Sequence, residues 1–231
     1  MAGVSVKQAA ESLGVQPQTV RKMIRERVLE LEPGMEGVAL IISSASLARA
    51  RAARAAPRRR GRAWSARVAW AAIDLLAGGR ATWLNPAERH RLRNSLVYFG
   101  AADIAWLARN RASVHRYRAT SEAVPLVAEH VIATAGSAVA RSPEVAAAFG
   151  LTGGTGFVDG YVPAGAAQQI ADAYGLAEDP AGNVVLREAE FTEALLNGAP
   201  LPAVALDLAD STATRERSAG LRYLEERLAD G

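Results

Sequence analysis

The sequence contains no cysteine and only three histidines, His90, His115 and His130. The absence of cysteine excludes disulfide bonds, thiolate nucleophiles, cysteine-ligated zinc sites and iron-sulfur clusters. The histidines are scattered along the chain, which argues against a histidine-rich metal site. We therefore expect neither a metal ion nor a cofactor.

Long uncharged runs are also lacking. The longest covers residues 145–158, 14 residues, whereas a helix needs about 20 apolar residues to span a bilayer. The first twenty residues are polar and amphipathic, without the basic and then apolar regions of a secretory signal. Because 50% of the residues are hydrophobic, the chain can bury a core. We expect a soluble, cytoplasmic protein.

Lysine is scarce, with two residues beside 25 arginines, and alanine is abundant, with 50 residues. A GC-rich genome produces this bias, so only the placement of the arginines is informative. Residues 1–62 carry 12 basic and 5 acidic side chains (net +7), residues 63–118 carry 9 and 3 (net +6), and residues 119–231 carry 6 and 16 (net −10). This asymmetry predicts that the N-terminal half faces a polyanion.

The first 27 residues have the pattern of a helix-turn-helix. Ser5 can cap a helix over 6–13, and Gly14 can end that helix in the left-handed conformation. Pro17 suits the first turn of a second helix over 17–27. Its inner face is predicted to be Val20, Met23 or Ile24, and Val28. Its outer face comprises Gln16, Gln18, Thr19, Arg21, Lys22 and Arg25.

These outward side chains suit a major groove, because amides pair with adenine, guanidinium groups pair with guanine, and cations contact phosphates. Two strand-like runs follow, over 29–32 and 38–42, around a Pro/Gly turn over 33–37. They predict a β-hairpin, which after such a helix pair forms a wing. Ser43 or Ser44 can then cap a helix over 45–56.

The pattern Val-x-x-Ala-Ala-x-x-Leu-Gly-Val-x-x-x-Thr-Val-Arg-x-x-Ile-Arg over residues 6–25 resembles the excisionase and MerR-type winged helix-turn-helix. The resemblance covers roughly the first 50 residues. It implies that the second helix lies in the major groove, with Thr19, Arg21 and Arg25 at the matching positions. The alternative is a small helical packing unit with a solvated basic face.

An arginine-rich tract follows the first domain. Pro57 ends the helix and Gly61 loosens the chain, which indicates a linker over 57–63. Its arginines can contact phosphates or enter a minor groove, which adds affinity independent of sequence. The alternative is a solvated linker shaped by genomic bias. The arginines concerned are Arg58, Arg59, Arg60 and Arg62.

The remaining sequence predicts an α+β domain over 64–231 that is mainly helical with a small sheet. Helices are predicted over 64–76, 85–96, 102–109, 164–174, 201–209 and 213–229, and strands over 111–118, 157–162 and 182–187. The whole chain is therefore predicted as α+β, with a winged helix-turn-helix over 1–56. The arginines in 89–93 and 109–118 predict a basic surface that faces DNA or an acidic partner.

The glycine-rich segment 150–156 does not have the features of a phosphate loop. It lacks a Gly-Lys-Ser/Thr ending, and no strong strand precedes it with a helix directly after it. The backbone N–H groups are therefore not predicted to point at a phosphate.

The order of segments in the C-terminal part suggests a second resemblance. The segments are Tyr161-Val162-Pro163, Tyr174-Gly175-Leu176, 182–187, 201–208 and 215–220. Together they resemble the C-terminal half of AbiEi-type antitoxins of type IV toxin-antitoxin systems, over about residues 90–231. The resemblance implies an autorepressing antitoxin encoded beside a nucleotidyltransferase-like toxin. Because the N-terminal domain here is excisionase-like, that family's operator geometry is not transferred.

These observations favour a non-enzymatic, sequence-specific repressor that acts as an antitoxin and binds an inverted repeat in double-stranded DNA as a dimer. A second hypothesis is a one-component regulator whose C-terminal domain binds a small effector in an apolar pocket near Tyr161 or Tyr174. An excisionase-like architectural protein is a third. For an enzyme, the candidates are Asp207 and Asp210, but we expect these residues to cap the helix or pair with Arg215 or Arg217.

Overall fold

The computed structural model describes residues 3–26, 28–32, 40–55, 62–190 and 195–230. Helices are combined with short strands in two small sheets, which confirms the predicted α+β class. The chain divides into two compact units, Met1–Arg60 (unit 1) and Gly61–Gly231 (unit 2). Among the described residues, no helix is long and apolar enough to cross a membrane.

Unit 1 has two strands and three helices in its described part. In chain order these are β1 (Val4–Ser5), α1 (Val6–Leu13), α2 (Pro17–Arg25), β2 (Ile41–Ile42) and α3 (Ser44–Ala55).

Two residues determine where α1 begins and ends, and both were predicted. The Ser5 hydroxyl accepts a hydrogen bond from the Gln8 amide at 3.3 Å, and the Ser5 amide donates to the Gln8 side chain at 3.0 Å. This reciprocal cap satisfies donors at the start of the helix. Gly14 ends the helix with a φ of 64°, which glycine adopts without a steric penalty.

The inner faces of α1 and α2 form the core of unit 1. Val20 and Met23 are buried as predicted, but the expectation for Val28 was wrong, because this side chain is 52% exposed and Leu29 is buried instead. The amides of Val28 and Leu29 both donate to the Met23 carbonyl, at 2.9 and 3.2 Å. The chain therefore turns tightly after α2 and directs Leu29 inward.

The two strand-like runs that were predicted to form a wing are hydrogen-bonded to each other at the point where they leave the core. The Glu32 amide donates to the Ile41 carbonyl at 2.8 Å, and the Ser43 amide donates to the Glu30 carbonyl at 2.9 Å. Between them, Leu31 forms an antiparallel bridge with Ile42. Strand β1 pairs antiparallel with β2 as well. The predicted turn over 33–37 lies outside the described residues.

Unit 2 begins with α4 (Ala66–Leu76), α5 (Pro86–Leu96), α6 (Ala101–Leu107), a 3-10 turn (Arg109–Arg111) and β3 (Ser113–Arg118). Next come α7 (Ala123–Ala128), β4 (Ile132–Ala133), α8 (Ala135–Arg141) and α9 (Pro143–Phe149). The remaining elements are β5 (Val158–Pro163), α10 (Ala166–Tyr174), β6 (Ala177–Glu178), β7 (Val184–Ala189), α11 (Leu201–Ala209) and α12 (Thr214–Asp230).

The sheet of unit 2 has the strand order β4-β5-β7-β3-β6. Strands β5 and β7 are parallel, with Val158 opposite Val184 and Pro163 opposite Ala189. The other pairs are antiparallel. Helix α10 follows β5 and packs against both β5 and β7, which is the crossover that a parallel pair requires.

The two faces of this sheet have different chemistry, because successive side chains of a strand point to opposite sides. On one face, Val158, Val162, Val184 and Leu186 join a small apolar core with α7 and α10. On the opposite face, the alternation places Asp159, Tyr161 and Arg187 toward the larger core, in which α4, α11 and α12 take part. Charged residues of the central strands therefore lie under helices.

Candidate functional site

The predicted DNA-contacting side chains lie on the outer surface of α2 and at its start. Gln16, Gln18, Arg21 and Arg25 are exposed, and Thr19 and Lys22 are half-buried. Gln16 occupies the N-cap position with an extended backbone, and its side chain does not cap the helix. Pro17 follows it in the first turn, where its missing N–H costs no helix hydrogen bond.

The helical spacing aligns the polar side chains of α2. Gln18, Arg21 and Arg25 recur at three- and four-residue intervals, which places them along one side of the helix. Neither Arg21 nor Arg25 forms an ion pair with a described residue. Lys22 lies 4.0 Å from Glu26 at the C-terminal end of the helix. The surface therefore offers amides together with guanidinium groups that have no ion-pair partner in the described part of the chain.

Of the four linker arginines, three lie outside the described residues, namely Arg58, Arg59 and Arg60. Arg62 is described and exposed, and it precedes α4 in unit 2.

The basic surface predicted over 89–93 and 109–118 is interrupted. Arg91 and Arg93 are exposed on α5, but Arg118 pairs with Asp179 at 2.9 Å. The half-buried strand was predicted to begin at Arg111, and this bound was wrong, although Arg116 and Arg118 are exposed as predicted for its outward face. The strand starts at Ser113, and Arg111 ends the preceding 3-10 turn with its side chain buried.

Arg111 belongs to a buried cluster of charges at the centre of unit 2. We call the set of Arg111, Asp159, Arg187 and Asp207 the charge cluster. Arg187 holds Asp159 by two bonds, Nε to Oδ1 at 2.6 Å and Nη2 to Oδ2 at 2.8 Å. Asp207 accepts from Arg111 Nη2 at 2.5 Å and lies 3.1 Å from Arg187 Nη1.

Further contacts surround Asp207 in the charge cluster. Thr134 donates its hydroxyl to Asp207 Oδ2 at 2.5 Å, and the partly exposed carboxylate of Asp210 pairs with Arg111. The Tyr161 hydroxyl is buried without a hydrogen-bond partner among the described residues. Each charged member of the cluster thus has a charged or hydroxyl partner, as buried ions require.

Burial and ion pairing act in opposite directions on these groups. Burial opposes ionisation of Asp207, but Arg187 and Arg111 hold the pKa of Asp207 below its usual value. Burial raises the pKa of Asp159 although Arg187 acts against it. Burial, together with the negative charge of Asp207, also raises the pKa of Tyr161 well above its usual value. Both guanidinium groups stay charged, since the nearby carboxylates raise their pKa despite burial.

The predicted pairing of Asp207 and Asp210 with Arg215 or Arg217 was wrong. Both carboxylates contact Arg111 instead. Arg217 donates to the backbone carbonyls of Ser211 and Thr212, and Arg215 faces the Gly150 carbonyl at 3.4 Å. Two aspartates on one guanidinium group act as a structural anchor for the end of α11.

A cavity of about 300 Å³ opens beside the charge cluster. Three buried members, Asp159, Arg187 and Asp207, line its inner part. Its outer part includes Arg116 from β3 and Glu216 from α12. The other polar lining residues are Asn183, Asp210, Ser211 and Thr212.

Other predicted residues have local partners. Tyr174, expected near an apolar pocket, contacts His130 through its hydroxyl at 2.5 Å. The Nε2 atom of His115 lies 3.5 Å from a Glu188 oxygen. The glycine-rich segment follows helix α9 and leads into strand β5, the reverse of the strand-loop-helix order of a phosphate loop. Within the described ranges, no three His, Asp or Glu side chains are arranged to hold a metal ion.

No protein-family model, curated protein or solved structure matches this chain. The geometry of the two units is therefore the basis for the functional argument.

Proposed function

We propose that this protein is a non-enzymatic, sequence-specific DNA-binding autorepressor and the antitoxin of a toxin-antitoxin operon. The observation that carries the proposal is the outer surface of α2, where Gln18, Arg21 and Arg25 are exposed together on a helix braced by α1 and by the Gly14 turn. A helix of this kind can enter a major groove and present amides and guanidinium groups to base edges.

The described elements of unit 1 support this interpretation over a simple packing unit. The two ends of the predicted hairpin pair with each other next to the core that also contains the inner face of α2. A wing would therefore extend from a fixed position. A single short helix makes few base contacts, so we propose a dimer on an inverted repeat, with half-sites about 10 base pairs apart or a multiple of that spacing.

The experiment is a mobility-shift assay of the full chain with the DNA upstream of its own gene, across a salt series. Random DNA of equal length is the competitor. We expect Arg21→Ala to weaken operator binding by about 1–3 kcal/mol if Arg21 contacts a base, and Arg25→Ala to reduce the salt slope by about 1 if Arg25 contacts a phosphate.

Lys7→Ala is the matched control, because Lys7 is an exposed cation that belongs to α1 and not to α2. It should leave specific binding close to the wild-type value. Equal retardation of operator and random DNA, or equal effects of Lys7→Ala and Arg21→Ala, would contradict the proposal.

The antitoxin part of the proposal rests on the AbiEi-type resemblance of the C-terminal segments. An adjacent reading frame for a nucleotidyltransferase-like protein, together with restored growth when both genes are expressed, is the expected result. An adjacent integrase gene would instead favour the excisionase-like alternative.

The cavity of unit 2 favours a second candidate, a one-component regulator that responds to a small effector. Its lining combines charged and polar side chains with apolar ones such as Phe157 and Val185, whereas an apolar pocket was expected near Tyr161 or Tyr174. If this candidate is correct, a ligand of the cavity changes operator affinity. An antitoxin that acts through its toxin would bind the operator equally with and without such a ligand.

A further inference from the structure

The cavity of unit 2 is lined by charges of both signs that come from different elements. Arg116 comes from β3, while Glu216 comes from the first turn of α12. Arg116 and Arg118 point to the same face of the sheet, two residues apart on one strand. Only Arg116 lines the cavity, since Arg118 turns to Asp179.

The guanidinium group of Arg116 is available to a ligand. Arg116 is exposed and forms no ion pair with any described residue. Its charge nevertheless acts on Asp159 inside the cavity, where it favours the ionised carboxylate. A guanidinium group with free donors is suited to a carboxylate, which it can hold by two parallel hydrogen bonds.

Two acidic residues of the lining, Glu216 and Asp210, have spare acceptors. Glu216 accepts from the Ser211 hydroxyl through Oε2 at 2.5 Å, which leaves its other oxygen without a hydrogen bond among the described residues. Asp210 is partly exposed and uses Oδ2 toward Arg111. Both carboxylates can therefore accept hydrogen bonds from an ammonium group, and the Thr212 hydroxyl lies in the same lining.

The buried charges that line the cavity are held by one another. Arg187 and Asp159 hold each other by two hydrogen bonds, and Asp207 ties Arg187 to Arg111 across α11 and the 3-10 turn. A ligand therefore meets charges that are already oriented, so that less conformational entropy is lost on binding. A cavity of about 300 Å³ is at the small end of ligand sites.

We propose that this cavity binds a small zwitterion, of the size of an amino acid, with its carboxylate on Arg116 and its ammonium group on Glu216 and Asp210. The inference does not depend on DNA binding by unit 1. An apolar ligand is disfavoured because it would cover charged groups without replacing their hydrogen bonds with water.

The test uses isothermal titration of the full chain with three probes of similar length that differ in their end groups. They are 6-aminohexanoate (a zwitterion), adipate (two carboxylates) and 1,6-diaminohexane (two ammonium groups). Shorter ω-amino acids, glycine and 4-aminobutyrate, then measure which charge separation the cavity prefers. We expect saturable binding that is strongest for one of the ω-amino acids.

Two variants separate the two ends of the ligand. Arg116→Ala should weaken binding of the preferred ω-amino acid about tenfold while leaving the diamine nearly unchanged, because the carboxylate loses its partner. Glu216→Gln retains the shape of the side chain but removes its charge. It should weaken binding of the same zwitterion and leave binding of adipate unchanged or strengthen it.

The matched controls are Arg118→Ala on the same strand and Glu226→Gln on the same helix, since neither residue lines the cavity. Both should bind like the wild type. Absence of saturable binding for every ω-amino acid up to about 10 mM, where an affinity would be weaker than about 3 kcal/mol, would overturn the proposal. So would equal loss in Arg116→Ala and Arg118→Ala. Neither result bears on the mobility-shift assay with operator DNA.

Discussion

Arg187→Met offers a demanding test of the charge cluster. The substitution keeps a long unbranched side chain but removes the guanidinium group that holds Asp159 at 2.6 and 2.8 Å. Asp159 is then buried without its main cation. Removing one partner of a buried ion pair costs about 3–5 kcal/mol, a large part of the roughly 5–15 kcal/mol that stabilises a domain.

A double-mutant cycle isolates the pair from other effects of the substitution. Asp159→Asn should cost less, about 1–3 kcal/mol, because Arg187 retains Asp207 at 3.1 Å. In Arg187→Met combined with Asp159→Asn, no uncompensated charge remains at this position. The double variant should therefore be about 2 kcal/mol more stable than the sum of the single effects predicts.

Urea unfolding followed by tryptophan fluorescence measures the stability of unit 2 and hence this coupling free energy. All four tryptophans lie in unit 2, at Trp64, Trp70, Trp83 and Trp106. Trp70 is the most direct reporter, since its indole N–H donates to the Arg111 carbonyl at 2.9 Å. Single effects that add to within about 0.5 kcal/mol would refute the coupling.

The stability of Arg187→Met depends on pH, and the sign of this dependence follows from the burial of Asp159. Without Arg187, the pKa of Asp159 in the folded protein rises further above the value of about 3.9 in an unfolded chain. The folded variant then binds more protons than the unfolded one, so its stability increases as pH falls toward that unfolded value. The free energy of unfolding of Arg187→Met should therefore approach that of the wild type as the pH is lowered from 7 to 5. A difference that becomes larger over this range would contradict this account.

Two further predictions concern single contacts. Thr134→Val removes the hydroxyl that donates to Asp207 at 2.5 Å, which should cost about 1–3 kcal/mol at pH 7. This hydroxyl helps to lower the pKa of Asp207, and the stability that a lowered pKa contributes is lost as pH falls from the unfolded pKa to the folded one. The acid decline in urea midpoint should therefore be smaller in the variant than in the wild type, and an equal or larger decline would count against it. Gly14→Ala places a side chain at φ 64° in open space, so the cost is conformational, about 1–2 kcal/mol. It should appear as a lower midpoint of helix unfolding in unit 1, followed by circular dichroism, and an unchanged midpoint would contradict this prediction.

Local signals were sufficient for α1 and for the start of α2. Ser5 and Gly14 act on neighbours within a few residues, and Pro17 restricts its own backbone, so the bounds of α1 and the start of α2 could be predicted without tertiary information. Val28 was placed wrongly because the helical periodicity was extended beyond the end of α2 at Arg25. Because the backbone after Arg25 is no longer helical, Val28 points outward and Leu29 points into the core.

The charge cluster could not be predicted as a unit, because its partners are far apart in sequence. Arg111 and Asp207 are separated by 96 positions, and Asp159 and Arg187 by 28. A weaker signal was present, since Asp159 and Asp207 are single charges that follow apolar residues, whereas Arg187 stands directly before Glu188. Such a residue predicts a buried partner of opposite charge, although sequence alone does not identify that partner.

The segment between β3 and β5 was the least predictable part of unit 2. Helices α7, α8 and α9 have six or seven residues each, which is too short for a helical pattern to be distinguished from a loop. Ala135 has a φ of 45° at the start of α8, an uncommon conformation for a residue with a side chain. Packing of α8 against β5 and α11 fixes this segment, and its own sequence does not.

The connections of the last helix have a consequence for synthesis of the chain. Arg227 on α12 donates to the Leu76 carbonyl at the end of α4, and Glu225 accepts from the Ala101 amide at the start of α6. These contacts join positions 151 and 124 residues apart. During translation, unit 1 can therefore complete its fold while unit 2 still waits for its final residues. A ribosome that stops before α12 would release a chain with a finished N-terminal unit and an open C-terminal one, a substrate for proteases rather than a shorter working protein.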